Sequence, residues 1–200
     1  MPGKINPDLR KLTDEELIAR FQKDDIDAFN EIVNRYKDKI VNFLYRYTGS
    51  REDCEDIAQE AFLNLYRFKH KYVEVGKFSA WFYRIAINIA KSNLAKRKKN
   101  VFSINNAFDD DEKDYELPSK DVLPDEELNS SNESQYIQKA IDSLKESYRQ
   151  VIVLRDIQDL DYEEIARVLE IPIGTVKSRI NRARECLKEI LEHFYKSRNK

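Results

Sequence analysis

The chain has 200 residues with 41% hydrophobic content, 36% charged content, four glycines and five prolines, which allows one or two domains and argues against an all-β fold. It contains no run of 18 apolar residues and no apolar stretch near its N-terminus, so we expect a cytoplasmic protein with no membrane-spanning helix and no secretory signal. The net charge of −2 hides a segregation, because residues 75–108 contain seven Lys or Arg and no acidic residue, whereas residues 109–127 contain ten acidic residues and two lysines.

Three helices are predicted before residue 70. Thr13 can cap the first helix together with Glu16, three residues later. The second helix is predicted over residues 26–48 and ends at Gly49, which suits the position after a helix C-terminus. Ser50 can cap the third helix, whose acidic first turns favour the positive end of the helix dipole.

The third helix has a polar face that lies away from its apolar stripe. The members of this face include acids and amides, namely Asp53, Asp56, Gln59, Glu60 and Asn64. A solvated acidic face would show the same pattern as a docking surface for basic residues of a partner. From these residues alone, both interpretations stay open.

A loop over residues 70–80 precedes a basic helix predicted over residues 81–99. The face opposite its apolar side combines positive charge with polar groups, and consists of Arg84, Asn88, Lys91, Ser92 and Ala95, with Trp81 at the edge. Such a face suits a strand whose bases are exposed for stacking, and also a duplex backbone. Trp81 fits equally well as a partly buried core residue.

Residues 100–133 predict a flexible acidic linker, because they combine the acidic block with Pro118, Pro124 and a run of Ser and Asn. Helical periodicity resumes near Ser134, where one helix is predicted to extend to Leu144. A further helix around residues 151–157 leads into the C-terminal segment.

Residues 161–188 predict two helices joined by a tight turn. Asp161 and Glu164 form a capping box for the first helix, and the turn falls at residues 170–171. Pro172 suits the first position of the second helix, where a missing N–H costs nothing. The apolar face of the second helix consists of Ile173, Val176, Ile180, Ala183, Leu187 and Ile190.

The outward face of this last helix is polar and basic. It holds Gly174, Thr175, Lys177, Ser178, Asn181 and Arg182, with Arg179 and Arg184 on its flanks. Residues 171–188 include five Lys or Arg and one acidic residue. Short polar groups and arginines on an amphipathic helix, after a capped helix and a tight turn, suit entry into a DNA major groove. An ordinary helical hairpin with a solvated face remains the alternative.

Metal, cofactor and enzyme chemistry are not expected. Cys54, Cys186, His70 and His193 are far apart, and no Cys-x-x-Cys or His-x-x-x-His spacing occurs. This predicts free buried thiols in a reducing cytosol rather than a disulfide or zinc site. The sequence also lacks a nucleophile–base or metal-ligand cluster, so we expect no catalytic residues.

Together these stretches resemble a bacterial RNA polymerase sigma factor of the extracytoplasmic-function (ECF) group, the minimal sigma-70 type. Residues 53–63 resemble the helix that binds the polymerase clamp, and residues 78–91 the helix that melts and recognises the −10 element. Residues 144–154 resemble the start of the C-terminal domain, and residues 162–184 the helix-turn-helix that recognises the −35 element.

The resemblance implies an all-α fold with two small helical domains joined by the flexible acidic linker. Residues 1–99 would bind polymerase and the −10 element, and residues 134–200 would contain the helix-turn-helix. Residues 100–133 would pass through the polymerase cleft, although this linker is longer and more acidic than the minimal group leads us to expect. The implied partners are core RNA polymerase, promoter DNA and an anti-sigma factor, with no membrane insertion, cofactor or small-molecule substrate.

The resemblance also implies roles for individual residues. The polymerase-binding residues would be Asp53, Asp56, Gln59, Glu60, Leu63 and Asn64. The loop over residues 72–79 would hold a base flipped from the non-template strand, and the −10 contacts would come from Lys77, Trp81, Arg84, Asn88, Lys91 and Ser92. The −35 base edges would face Lys177, Ser178, Asn181 and Arg182, with Thr175, Arg179 and Arg184 on phosphates and Gly174 on the same surface.

Two other classes of protein compete with this interpretation. A stand-alone helix-turn-helix regulator, whose N-terminal domain senses a signal or dimerises, would bind DNA specifically without polymerase. A helical adaptor or anti-sigma-like interaction protein would leave the basic face of residues 84–99 unexplained. A sigma factor, by contrast, should bind promoter DNA poorly as a free protein.

Overall fold

The structure is a computed structural model that describes residues 8–102 and 130–198. Within those ranges all regular structure is helical, as the sequence predicts, and the α-helices are α1 Asp14–Phe21, α2 Ile26–Thr48, α3 Arg51–Phe68, α4 Phe78–Phe102, α5 Ser130–Ser143, α6 Glu146–Ile152, α7 Tyr162–Leu169 and α8 Ile173–Arg198. Short 3-10 turns at Leu9–Lys11 and Lys69–Lys71 and a π-helical turn at Val153–Ile157 complete the set. No helix in the described ranges is long and apolar enough to cross a bilayer.

The first unit is built by α1 to α4. The apolar stripe of α2 is buried chiefly against the other three helices of this unit, and its members are Ile32, Tyr36, Ile40, Phe43, Leu44 and Tyr47. The helix begins at the N-cap Asp25 and ends at Gly49, whose φ of 72° lies in the left-handed region. The predicted capping box of Thr13 and Glu16 is present at the start of α1.

The second unit is built by α5 to α8, and its last two α-helices form the predicted helix-turn-helix. Asp161 and Glu164 make the predicted capping box at the start of α7. The turn falls at Glu170, which adopts a left-handed conformation with φ of 56° although it is not glycine. Val176, Ile180 and Ala183 are fully buried and fix α8 against the rest of the unit.

Several boundaries differ from the sequence-based prediction. Helix α4 begins at Phe78 rather than Trp81 and continues to Phe102, and α5 begins at Ser130 rather than Ser134. The helix predicted around residues 151–157 begins earlier, as α6 at Glu146, and ends in the π-helical turn. The early start of α4 has a long-range cause, because the Phe78 N–H donates to Glu15 Oε1 at 2.9 Å. The predicted acidic linker lies for the most part at residues 103–129, outside the described residues, as does the extreme N-terminus.

The two units also touch each other directly, which the sequence did not predict. One continuous set of buried side chains runs from α2 and α4 into α6, the π-helical turn and α7. A second contact joins the C-terminal end of α2 to α5 and, through the hydrogen bond from Tyr47 to Glu146, to α6. The described units therefore pack as one body instead of being connected by the linker alone.

Candidate nucleic-acid and polymerase interfaces

The outward face of α8 is open to solvent. Because Val176 and Ile180 are fully buried, the helix is held in one rotational setting, and the residues on its other side are exposed. The exposed members are Gly174, Lys177, Ser178, Asn181, Arg182 and Arg184, whereas Thr175 and Arg179 are half-buried. A Cβ built on Gly174 meets no heavy atom within 4 Å. The structure therefore presents the predicted −35 residues together on an accessible helix face.

Arg184 differs from its neighbours because it is already paired within the protein. Its Nε donates to Asp156 Oδ2 at 3.1 Å and its Nη2 to the other carboxylate oxygen, in a bidentate arrangement. The hydrogen bonds to Asp156 raise the pKa of Arg184. Lys177 Nζ lies 6.0 Å from the ring centroid of Tyr162. These contacts hold α8 against the π-helical turn and α7.

The outward face of α4 contains the predicted −10 residues. Arg84, Asn88, Lys91 and Ser92 are exposed. Trp81 is half-buried, with its ring centroid 5.5 Å from that of Tyr72. The indole is thus packed in the domain and accessible at one side, which is compatible with both interpretations of this residue.

A groove of about 500 Å³ separates α3 from α4. Its lining combines two sets of residues that are predicted to contact different partners. Glu60 and Asn64 come from the predicted polymerase surface, while Trp81, Asn88 and Ser92 come from the predicted −10 face. The two surfaces are therefore continuous across this groove.

The loop between the 3-10 turn and α4 (residues 72–77), which we call the −10 loop after its predicted role, has an apolar tip. Val73 is 69% exposed and Val75 is 81% exposed. Tyr72 is buried, and its hydroxyl donates to the Gly76 carbonyl at 3.0 Å, which ties the two sides of the loop together. Sequence reasoning did not single out the two valines, because they match no helical or strand periodicity.

The polymerase-binding face predicted on α3 is also accessible. Asp56, Gln59 and Glu60 are exposed, Leu63 is 48% exposed, and Asn64 is half-buried. The side chain of Asp53 lies outside the described residues. Carboxylates around an exposed leucine form a mixed acidic and apolar surface.

Two of the predicted −10 residues are paired with the helix-turn-helix. Lys77 Nζ lies 3.3 Å from both Asp161 Oδ2 and Glu164 Oε1, and Arg84 forms an ion pair with Glu170. The hydrogen bonds to the two carboxylates raise the pKa of Lys77. Burial raises the pKa of Asp161, but its hydrogen bonds and the Lys77 charge outweigh this effect, so that its pKa is lowered overall.

Further contacts join the −10 loop and α4 to the second unit. Tyr83 Oη donates to Gln158 Oε1 at 2.6 Å, and burial raises the pKa of this phenol. Arg167 Nη1 donates to the Val75 carbonyl at 3.4 Å. The same guanidinium covers Gly76, since a Cβ there would lie 2.0 Å from Nη1.

A separate polar cluster forms the second contact between the units. Tyr47 Oη donates to Glu146 Oε1 at 2.7 Å and accepts from Gln150 Nε2 at 3.2 Å. Arg149 Nη1 donates to the Tyr47 carbonyl at 3.2 Å. Burial and the Glu146 carboxylate together raise the pKa of Tyr47. Sequence reasoning missed this cluster and the α7 acids as partners, because each pair is separated by more than 70 residues.

The comparison with protein families divides the chain in the same way as the fold. Residues 32–100 match the model described as Sigma-70 region 2, and residues 134–187 match Sigma-70, region 4. Helix α1 precedes the first matched stretch, and the helix-turn-helix lies almost entirely within the second.

Curated relatives resemble the chain over most of its length. It is 40% identical over 176 residues to the ECF RNA polymerase sigma factor SigW of Bacillus subtilis, covering 87% of this chain and 94% of the relative. It is 39% identical over 179 residues to the ECF RNA polymerase sigma-E factor of Escherichia coli, covering 88% and 93%.

Solved structures share the fold. The sigma factor RpoE, in its complex with the anti-sigma factor NepR from Bartonella quintana, has a TM-score of 0.65 and 23% identity over 82% of this chain and 96% of its own. CnrH, in complex with the cytosolic domain of CnrY, has a TM-score of 0.67 and 21% identity over 90% and 97%.

Proposed function

Because the chain belongs to the ECF group of sigma-70-type RNA polymerase sigma factors, which are transcription initiation factors, we propose a specific division of labour among its surfaces. The outward face of α8 recognises the −35 element, and the outward face of α4 with the −10 loop recognises and helps to melt the −10 element. The acidic and apolar face of α3 binds the polymerase clamp.

One observation supports this proposal most directly. The residues predicted to face −35 base edges lie together on the exposed side of α8, while the other side is locked by fully buried residues. Arg182 and Asn181 are then free to pair with guanine and adenine edges in the major groove, each worth about 1–3 kcal/mol of discrimination. The protein itself performs no catalysis and acts in the cytoplasm, where polymerase supplies the chemistry.

The contacts between the units add a condition to this function. Lys77 and Arg84 are paired with carboxylates of the helix-turn-helix, and Arg167 covers the −10 loop. In this arrangement the proposed −10 surface is partly covered. We therefore propose that core polymerase separates the two units when it binds, and that the free protein binds promoter DNA weakly.

Regulation by an anti-sigma factor is the remaining part of the proposal. The RpoE structure of similar fold was solved with the anti-sigma factor NepR. A protein that stabilised the packed arrangement of the two units would keep the −10 surface covered. An anti-sigma factor acting on this chain would then silence it by holding the units together.

Run-off transcription tests the proposed function. Transcripts mapped after overexpression identify candidate promoters, which are then supplied as templates to core polymerase with and without the purified protein. We expect promoter-specific transcripts only when the protein is present. A mobility shift without polymerase serves as the second arm, because strong specific binding by the free protein would instead indicate a stand-alone regulator.

A further inference from the structure

The −10 loop is fixed at both ends by side chains from α1 and the turn after it. At the first end, Gln22 uses both hydrogens of its amide, because Nε2 donates to the Lys69 carbonyl at 2.8 Å and to the Tyr72 carbonyl at 3.0 Å. These carbonyls belong to the first residue and to the C-cap of the 3-10 turn that leads into the loop. The position of that turn therefore depends on a residue that lies 47 positions earlier in the chain.

The same end of the loop is held by Lys69. This lysine is only 7% exposed, and its ammonium forms an ion pair with Asp24 and lies 4.5 Å from the ring centroid of Phe21. The hydrogen bond from Lys69 lowers the pKa of Asp24. Asp24 adopts a left-handed φ of 67°, which turns the chain back after α1 and places its carboxylate at the ammonium.

The other end of the loop is held by Glu15. Its Oε1 accepts the hydrogen bond from the Phe78 N–H, the first amide of α4. Such an amide has no partner inside its own helix, so the Glu15 carboxylate acts as a cap supplied from a distant element. Between these two ends, Val73 and Val75 remain exposed.

Helix α1 is itself rigidly attached to α2. Arg35 of α2 forms an ion pair with Asp14 of α1 at 2.8 Å, and its guanidinium is also held by Glu31, one turn earlier on α2, at 3.0 Å. The hydroxyl of Tyr36 donates to Asp14 Oδ2 at 2.6 Å. On its apolar side α1 is fully buried, through Leu17, Ile18 and Phe21. A displacement of the −10 loop would therefore have to break contacts to a fixed helix.

We propose that α1, which precedes the segment matching the sigma region 2 model, is a positioning element for the −10 loop, with Gln22 and Glu15 as its positioning residues. This inference rests on the proposed function of the loop. A loop that captures an unstacked base gains affinity when its backbone is already held in the bound conformation, because less ordering cost remains at the moment of binding. Removing the Gln22 amide should leave the loop chemically intact but less ordered.

The experiment uses holoenzyme assembled from core polymerase and the full chain. The template is a promoter identified by transcript mapping, with 2-aminopurine at the −10 position that is expected to flip. In Gln22→Met the side chain keeps its length but loses both donors. We expect the rate of the fluorescence rise that accompanies base flipping to fall about five-fold or more, because two hydrogen bonds that hold the loop are lost. Affinity for core polymerase and for a −35 duplex should stay within two-fold of wild type.

A second pair of variants guards against a general folding defect. Glu15→Leu removes the acceptor at Phe78, whereas Glu15→Gln keeps an amide oxygen there, so Glu15→Gln should open the promoter faster than Glu15→Leu. Thr13→Ala removes the N-cap of α1 but leaves Gln22 and Glu15 unchanged. This control should lower Tm by a few degrees and leave the rate of base flipping near wild type.

Three results would overturn the inference. Base flipping could be as fast in Gln22→Met as in wild type, or Thr13→Ala could slow it as much as Gln22→Met at equal Tm, which would show a role in stability only. Alternatively, wild-type holoenzyme could give no promoter-specific transcript. That last result would refute the proposed function as well, and it is distinguished from the other two because it requires no variant.

Discussion

Arg84, on the outward side of α4, forms an ion pair with Glu170, the residue whose left-handed conformation makes the turn of the helix-turn-helix. The two side chains are 86 residues apart in sequence and come from the two units that flank the linker. The pair joins the proposed −10 surface to the motif that we propose recognises the −35 element. It can form only when the two units are packed, so it serves as a marker of that arrangement.

Reversing the charge at this pair should favour separation of the units. In Glu170→Arg two guanidinium groups would face each other. We expect the free protein to bind a −10 single strand about three- to five-fold more tightly. The expected gain in affinity is modest because both side chains are largely exposed. Fluorescence anisotropy with a labelled oligonucleotide measures the affinity. Glu163→Arg is the matched control, since Glu163 is an exposed acid on the same motif without an ion pair to any other described side chain. Equal gains in both variants would contradict a specific role for the Arg84–Glu170 contact.

Two functions of Asp161 can be separated by substitution. Asp161 caps α7 and also pairs with Lys77. Asn retains a cap acceptor but loses the charge, so Asp161→Asn should change the free energy of unfolding little. Asp161→Ala removes the acceptor and should lower the free energy of unfolding by about 1 kcal/mol. Urea unfolding followed by circular dichroism checks this order. Equal costs for the two variants would mean that the ion pair, rather than the cap, dominates.

The same residue predicts a dependence on pH. The pKa of Asp161 is lowered in the folded protein, so its ionised form is stabilised by folding. This contribution is complete above the ordinary carboxyl pKa of about 4 and is lost as pH falls through the lowered pKa of the folded state. Urea midpoints measured for wild type and Asp161→Asn, which keeps a cap acceptor and removes the charge, should therefore converge as pH falls below about 4, and a constant difference down to the lowest pH would refute the assignment.

The polymerase surface can be tested on α3. Asp56→Arg places a positive charge on the exposed acidic face, and we expect affinity for core polymerase to fall about ten-fold or more, because a like charge replaces one half of a complementary pair. Glu55→Arg is the matched control, since Glu55 is turned about 100° away on the helix and faces a groove beside α2 with Arg51 and Asp38. Competition against a labelled sigma factor measures both. Unchanged affinity in Asp56→Arg would mean that this face is only a solvated surface and does not bind polymerase.

Two arginines of α8 should behave differently on DNA. Arg182 is exposed at the centre of the outward face, so Arg182→Ala should relax the preference at one −35 position by about 1–3 kcal/mol. Arg179 is half-buried on the flank, so Arg179→Ala should weaken binding across all sequences. It should also reduce the slope of the logarithm of the binding constant against the logarithm of the salt concentration by about one. Holoenzyme binding to a panel of single-base −35 variants distinguishes these outcomes. The same loss of specificity from both variants would contradict the orientation of α8.

Local patterns predicted most helices and most of their caps, but the predicted cap Ser50 makes no side-chain hydrogen bond at the start of α3. The capping boxes Thr13–Glu16 and Asp161–Glu164, and the left-handed Gly49, follow from residues within three or four positions of one another, so the sequence alone predicts them. The exposed face of α8 follows equally from helical periodicity, because burial of one side forces the other outward. The family resemblance is confirmed by the matches to regions 2 and 4.

The tertiary structure alone decided which polar residues meet. Lys77 with Asp161, Arg84 with Glu170, and Gln22 with the carbonyls of Lys69 and Tyr72 join positions 47 to 86 residues apart. No periodicity relates such positions, because their proximity depends on how whole helices pack around shared apolar side chains. The sequence thus determined the elements and the class of the protein, while packing determined that its proposed −10 surface is held from one side by α1 and covered from the other by the helix-turn-helix.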